Sequence, residues 1–281
     1  MTIVADSGST KTTWIDVDSG NKIVTEGLNP HLTSDEQFNK VICKVVDLLG
    51  TPQKVFFYGA GCGSSIQQNR AKYLLTEGFY TDNVQVETDM LGACRAVCGD
   101  QPGLVGILGT GSNACYFDGS EIKHQAVSTG YILGDEGSAN YVGRRLLQDY
   151  LTGIMPEPIN TIFHEAYPFS REEFMDAVYH QPHPNRFLAS LAPFALEHIN
   201  EQYCSMVITI SLIDWNNYQL EDLWEQTLCG DLYLVGGFAS RIKRSLLDRF
   251  AKDHDLVIRK ILADPIDGLR EYHQNTIHYE P

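Results

Sequence analysis

Ile3-Val4-Ala5-Asp6-Ser7-Gly8-Ser9-Thr10-Lys11-Thr12 is the stretch on which the reading of this chain turns. Ile3–Ala5 is a short apolar run, and Thr12–Val17 is apolar and β-branched. Asp6-Ser7-Gly8-Ser9 between them has turn composition, so the segment reads as a β-hairpin. A second turn, Asp18-Ser19-Gly20-Asn21, leads to Lys22–Glu26 as a third strand, and three antiparallel strands open the chain. The hairpin also carries chemistry. Its small residues let backbone N–H groups approach phosphate oxygens, and a hydroxyl and the Lys11 ammonium add donors. The Asp6 carboxylate, at a strand end, suits a hydrated Mg²⁺. It is not a Walker A loop, because with Lys11 as the loop lysine glycines would be needed where Ala5 and Thr10 stand. An ordinary hairpin turn is the plainer reading beside it.

Downstream, Phe38, Val41, Ile42, Val45, Val46 and Leu49 form one stripe of helical period, with Ser34 and Gln37 as a capping box and Gly50 as the stop. Lys54–Tyr58 is a strand ending in Gly59-Ala60-Gly61, Ser64–Thr76 a helix, Val84–Thr88 a strand and Met90–Cys98 a short helix. The pattern then restarts. Leu104–Leu108, Asn113–Phe117 and Glu121–Val127 read as three strands, followed by a mostly helical region from Asp135 to about Cys229. Leu232–Val235 is a buried strand running into Gly236-Gly237, Ala239–Phe250 a helix, Leu256–Ile258 a strand and Ile266–His278 a final helix. Two successive β-β-β-α units predict two similar α/β domains with a boundary near Pro102.

Four further stretches could carry chemistry. Gly109-Thr110-Gly111-Ser112 occupies in the second unit the place that the first hairpin turn holds in the first. Alone it is a hairpin turn; as a pair, the two could clamp a phosphate chain. Gly236-Gly237 would let a flat ring or phosphate lie against the backbone, or would simply allow close strand–helix packing. Asp89, at the carboxyl end of a strand, is placed for a general base and equally for an N-cap of the helix that follows. Gly134-Asp135-Glu136-Gly137-Ser138-Ala139 sets acids in a first helical turn, where the dipole suits them, or offers a carboxylate to sugar hydroxyls. Gly59-Ala60-Gly61 imitates a dinucleotide fingerprint, but Ser64 stands in place of its third small residue and antiparallel strands precede it.

Composition narrows the classes. The 281 residues carry 36 acids against 21 bases, a net charge of −15, which argues against nucleic-acid binding and against docking on anionic lipid. No run approaches a membrane span, and Met1-Thr2-Ile3-Val4-Ala5-Asp6 has no signal-peptide pattern. Seven irregularly spaced cysteines fit reduced thiols in a cytoplasmic protein. The nine histidines form no zinc motif, and no G-x-S-x-G elbow is present.

The ordered set Asp6–Thr12, Gly27-Leu28-Asn29-Pro30, Gly59–Gly61, Thr88-Asp89, Gly109–Asn113, Gly134–Ala139 and Gly236-Gly237 resembles the N-acetylglucosamine kinase branch of the sugar kinase/Hsp70/actin superfamily, close to the BadF/BadG-type ATPases. The resemblance implies two ribonuclease-H-like (actin-like ATPase) domains with ATP in the cleft between them. Residues 1–102, joined by the helix 266–281, would form one domain, and 103–265, with a helical insertion, the other. Asp6, Gly8, Ser9, Thr10, Lys11 and Thr12 would form the first phosphate loop, with Asp6 near Mg²⁺. Gly109, Thr110, Gly111 and Ser112 would form the second, and Gly236 and Gly237 the adenosine motif. Asp89 would match the general base, and Asn29, Asn113 and Asp135 sugar-binding positions. The implied activity is ATP-dependent phosphorylation of an amino sugar, foremost N-acetylglucosamine at the 6-hydroxyl. N-acetylmuramic acid or a hexose, or a dehydratase-activating ATPase, are the alternatives, and a homodimer is allowed. Two departures stand out. Ser128-Thr129-Gly130-Tyr131 lacks the tryptophan that often precedes Gly-Asp-Glu-Gly, and Ala263-Asp264-Pro265-Ile266-Asp267-Gly268 only partly matches the last motif.

Overall fold

The computed structural model describes residues 1–8 and 11–277. The chain divides into two compact units. The first takes Met1–Gln101, Gly119–Glu121 and the chain from Asp264 onward; the second takes Pro102–Asp118 and Ile122–Ala263.

In the first unit, β1 (Thr2–Ser7), β2 (Lys11–Asp16) and β3 (Lys22–Glu26) form an antiparallel meander. Helix α1 (Asp35–Leu49), β4 (Lys54–Gly59), α2 (Ser65–Phe79), β5 (Val84–Thr88) and α3 (Asp89–Cys98) follow, giving a sheet of order β3-β2-β1-β4-β5 in which β4 runs parallel to β1 and β5. The central strands read as continuous apolar runs because both faces are covered. Ile3, Ala5, Val55 and Phe57 point to one side, into a core with Trp14 and with Phe38, Ile42, Leu75 and Phe79 of α1 and α2. Alternate residues point to the other side, where Phe56 stacks on His273 with ring centroids 3.8 Å apart. His273 belongs to α12 (Ile266–Ile277), which packs on α3, β1 and β2. The Tyr58 hydroxyl accepts from Arg95 at 2.8 Å and meets His273 Nε2 at 2.8 Å. Burial pushes the His273 pKa down to about 3, so its ring is neutral. Helix α1 opens with the full Ser34–Gln37 capping box and ends at Gly50, where φ is 93°.

The second unit repeats the topology. Strands β6 (Gly103–Leu108), β7 (Ser112–Phe117) and β8 (Ile122–Gln125) form the meander, and β9 (Asp231–Val235) and β10 (Val257–Leu262) add parallel, in the order β10-β9-β6-β7-β8. Between β8 and β9 lie α4 (Gly130–Leu133), α5 (Ala139–Leu151), α6 (Ile159–Ala166), α7 (Arg171–Tyr179), α8 (Pro184–Glu197) and α9 (Gln202–Trp215), then a π-helical turn, Asn216–Leu220, and α10 (Glu221–Thr227). Helix α11 (Arg244–Asp253) precedes β10. The core joins Leu104, Leu108 and Leu234 of the sheet to Val142, Leu146, Leu212, Trp215 and Phe250. Helices α5 and α8 approach so closely at Gly143 that a side chain there would overlap the Leu188 carbonyl.

Several expectations need adjusting. Ala239–Phe250 is not one helix: a 3₁₀ turn, Ala239–Arg241, is followed by extended backbone at Ile242, which sends that side chain into the core before α11 starts. The strand expected over Glu121–Val127 pairs only over Ile122–Gln125. The strand expected at Leu256–Ile258 starts one residue later and continues to Leu262. The N-cap of α3 is Thr88, whose side chain accepts from Leu91 N, and not Asp89. The expected end of the last helix at His278 lies outside the described residues. Among the described residues no helix is long and apolar enough to cross a membrane.

Candidate active site

The first unit gathers charge at one end of its sheet. Asp6 sits on β1 opposite Thr13 and Tyr58. Asp89 is the first residue of α3, and Asp264 precedes α12, its Oδ1 accepting from Ile266 N at 3.1 Å. Burial, and then the nearby charges of Asp264 and Asp89, push the Asp6 pKa up to about 7; Lys11 opposes them. Burial also raises Asp89, against the lowering effect of the Met90 N–H that Asp89 Oδ1 accepts at 3.0 Å. Lys11 Nζ pairs with Asp264 Oδ2 at 3.0 Å. These groups come from opposite ends of the sequence, and the sheet brings them together.

The hairpin is closed from within. Gly8 N donates to Lys11 O at 2.9 Å. The buried Thr12 hydroxyl meets Ser7 Oγ at 2.7 Å, and Ser7 Oγ accepts from Leu28 N at 3.1 Å. The Thr12 hydroxyl is thus engaged in the turn itself. Ser9 and Thr10, expected phosphate donors, lie outside the described residues. Asn29, next along from Leu28, is 9% exposed and its Oδ1 accepts from His31 N at 2.9 Å. It lies against Gly61, whose φ of 84° and whose closeness to the Asn29 amide both exclude a side chain. The Gly59-Ala60-Gly61 turn therefore packs against Asn29.

The second unit builds its turn differently. Gly109 N donates to Gly111 O at 2.9 Å. The carbonyls of Gly109 and Thr110 accept from Ala139 N at 2.9 Å and Asn140 N at 3.1 Å, in the first turn of α5. Asn140 Nδ2 adds a second bond to the Thr110 carbonyl, at 2.6 Å. In a trans peptide the N–H points opposite to the C=O. The Thr110 and Gly111 amides are therefore directed away from α5, two parallel donors on the open side of the turn. Asp135 fastens the same loop: Oδ1 accepts from Ser112 N at 3.3 Å and Oδ2 from Asn140 Nδ2 at 2.8 Å. Its φ of 59° is unusual for a residue with a side chain. Asn113, half-buried on β7, accepts from Ala114 N through Oδ1 at 2.8 Å.

Gly236, at φ 132°, must be glycine because a side chain would overlap the Leu108 carbonyl. It locks the end of β9 to the end of β6, just before the loop. Among the described residues, a Cβ on Gly237 would meet nothing within 4 Å.

Sequence reasoning passed over four of these residues. Asp264 lies in the weakly matching last motif, and Asn140 one position beyond Gly134–Ala139. Glu136 reads from sequence as a first-turn acid or a carboxylate for sugar hydroxyls, yet it is 8% exposed and accepts from Gln219 Nε2 at 3.1 Å. Gln219 carries no sequence signal. Among the described residues no group of three or more His, Cys, Asp or Glu is placed to hold a metal ion by itself.

No family model matches the sequence, and no curated protein does. Solved structures do. A candidate N-acetylglucosamine kinase from Porphyromonas gingivalis is 34% identical, with 99% of this chain and 100% of that one covered and a TM-score of 0.92. A candidate N-acetylglucosamine kinase from Chromobacterium violaceum is 19% identical over 96% of this chain and 98% of its own, TM-score 0.75. A ROK-family glucokinase from Streptomyces griseus, in complex with glucose and AMPPNP, is 15% identical over 98% of both chains, TM-score 0.59. The last two show the fold alone. The first covers the chain end to end at an identity that shows kinship: this chain belongs to the N-acetylglucosamine kinase-like family of the sugar kinase/Hsp70/actin superfamily.

Proposed function

We propose that the protein is an ATP-dependent amino-sugar kinase that transfers the γ-phosphoryl group of ATP to the 6-hydroxyl of N-acetylglucosamine. The observation that carries this reading is Asp89: a recessed carboxylate at the carboxyl end of β5, its pKa raised by burial toward the range in which a general base works best. The name of the Porphyromonas gingivalis relative supports the substrate class.

Each side chain then has a task. Asp89 takes the proton from the sugar hydroxyl as it attacks. The Thr110 and Gly111 amides donate to phosphate oxygens, where fixed donors stabilise transferring charge. The Ser9 and Thr10 hydroxyls and the Lys11 ammonium serve the phosphates from the first hairpin, the Gly8 N–H and Thr12 close that hairpin, and Gly236 and Gly237 leave room for the adenosine. Asn29 and Asn113 contact the sugar. Asp135 contacts it with the lone pairs that Ser112 and Asn140 leave free, and shapes the loop as well.

Mg²⁺ fits the donor chemistry of the first unit. Asp6 is a hard oxygen ligand that burial and two neighbouring carboxylates keep partly protonated near pH 7, a penalty that a cation relieves. Asp6 would hold it, with water and phosphate oxygens as the remaining ligands, and the ion would neutralise phosphate charge.

A coupled ADP-release assay over a panel of sugars tests the proposal. Turnover that depends on N-acetylglucosamine is expected; ATP hydrolysis indifferent to every sugar would overturn it.

A further inference from the structure

The π-helical turn Asn216–Leu220 interrupts what would otherwise be one long helix from α9 into α10. Such turns are rare, and they re-aim side chains within a helix. Here two residues four apart are brought inward. Trp215, fully buried, lies beneath Gly106 and Gly137, each of which would clash with it if it carried a side chain. Gln219, 6% exposed, donates from Nε2 to Ser112 Oγ at 3.0 Å and to Glu136 Oε2 at 3.1 Å. A carboxylate only accepts, so the amide NH₂ is the end that faces Glu136. Ser112 and Glu136 are each 8% exposed, so these bonds are made away from solvent.

The amide is retained at a cost. Among the described residues, Gln219 Oε1 is buried with no hydrogen-bond partner. An aliphatic side chain of similar volume would carry no such unpaired acceptor. The two bonds from Nε2 are what the amide contributes. They join the last residue of the Gly109–Ser112 loop to the turn containing Asp135 and Glu136, the same two segments that Asp135 and Asn140 join from the other side.

We propose that Gln219 is a positioning residue for the nucleotide. By holding Ser112 and Glu136 together it keeps the Thr110 and Gly111 amides aimed at phosphate oxygens. This rests on the reading of Gly109–Ser112 as a phosphate loop.

The test compares four proteins with the wild type: Gln219→Met, Gln219→Glu, Glu136→Gln and the double variant Gln219→Glu/Glu136→Gln. Affinity for a non-hydrolysable ATP analogue is measured for each, together with KM for ATP, KM for the sugar and thermal melting. Gln219→Met and Gln219→Glu are expected to weaken the analogue roughly tenfold or more and to raise KM for ATP. The double variant again sets one amide against one carboxylate, and its affinity returns to within about threefold of wild type. A double variant no better than the worse single one overturns the proposal, as do single variants that bind the analogue as the wild type does. If Gln219→Met fails to fold, the exchanged pair decides alone. A wild type that binds the analogue but shows no sugar-dependent turnover overturns the kinase reading, and the affinities still judge Gln219. A wild type that binds no nucleotide overturns both.

Discussion

The hairpin turn between β1 and β2 and the one between β6 and β7 occupy the same place in two sheets of the same topology, and each opens with a glycine N–H bonded back across the turn. Their chemistry differs. The first stands among Asp6, Asp89, Asp264 and Lys11, so its unit gathers charge there and, on the proposed reading, the proton acceptor. The second has its carbonyls bound by α5 and presents neutral amides on the other side, so its unit contributes fixed dipoles. A repeated fold does not imply repeated chemistry: the scaffold supplies the turn, and the element packed behind it decides which groups remain free.

The comparison breaks most severely at Asp89. Asp89→Asn keeps the shape and removes the base, and kcat is expected to fall roughly 10²–10⁴-fold while affinity for an ATP analogue is kept. Stopped-time ADP release alongside calorimetric binding checks this, and an active Asp89→Asn would move the chemistry away from the first unit. Next come the glycines. A Cβ on Gly111 would sit 2.8 Å from Asp135 Oδ2, whereas one on Gly8 would have 3.6 Å to its nearest neighbour among the described residues, Lys11 O. Gly111→Ala should therefore push Asp135 off the loop and weaken the ATP analogue about tenfold, and Gly8→Ala should change it less than about threefold. Equal effects would mean that the two turns are held alike.

Much of the scaffold could be read from the sequence because it is local. The Ser34–Gln37 capping box, the glycine turns and the apolar runs of Ile3–Ala5 and Leu104–Leu108 each declare themselves within a few residues. The candidate site declares itself in the sequence only where it lies on such punctuation: Asp89 at a strand end, Gly109–Ser112 in a turn. Asp264 stands 253 positions from its partner Lys11, and Gln219 107 from Ser112, so no local pattern could join them. The break at Ile242 was missed because a buried isoleucine suits helical and extended backbone equally. The capping of α3 was misassigned because Thr88 and Asp89 are both good N-caps and only geometry selects one.

A milder test is the pH profile. The base must be ionised to work, and burial raises the Asp89 pKa, so the acid limb of kcat/KM should lie at higher pH than an ordinary carboxylate would place it. Activity then falls as pH drops through that raised value, and in Asp89→Asn the residual rate should lose this limb. An acid limb near pH 4 in the wild type would show that Asp89 is not the titrating group.

The smallest effect separates the electrostatic cost of the first unit from its function. Asp6 titrates near 7 in the folded protein and at 3.8 when unperturbed. Between those values the native state holds a proton that the unfolded chain has released, so stability declines as pH rises through the window and the full penalty is present above pH 7. Below about pH 3 both states are protonated and the penalty vanishes. Asp6→Asn removes the titration, so without nucleotide it should match the wild type in thermal stability at about pH 3 and exceed it at pH 7.5. The gain is on the order of 2 kcal/mol, less than the full shift implies because the Asp6 edge keeps some contact with solvent, or a few degrees in Tm. Mg-ATP should reverse the order, since the variant lacks the charge that the cation would meet. A variant less stable than the wild type at both pH values would mean that the Asp6 carboxylate stabilises its own unit, and that the crowding of acids at this end of the sheet is structural.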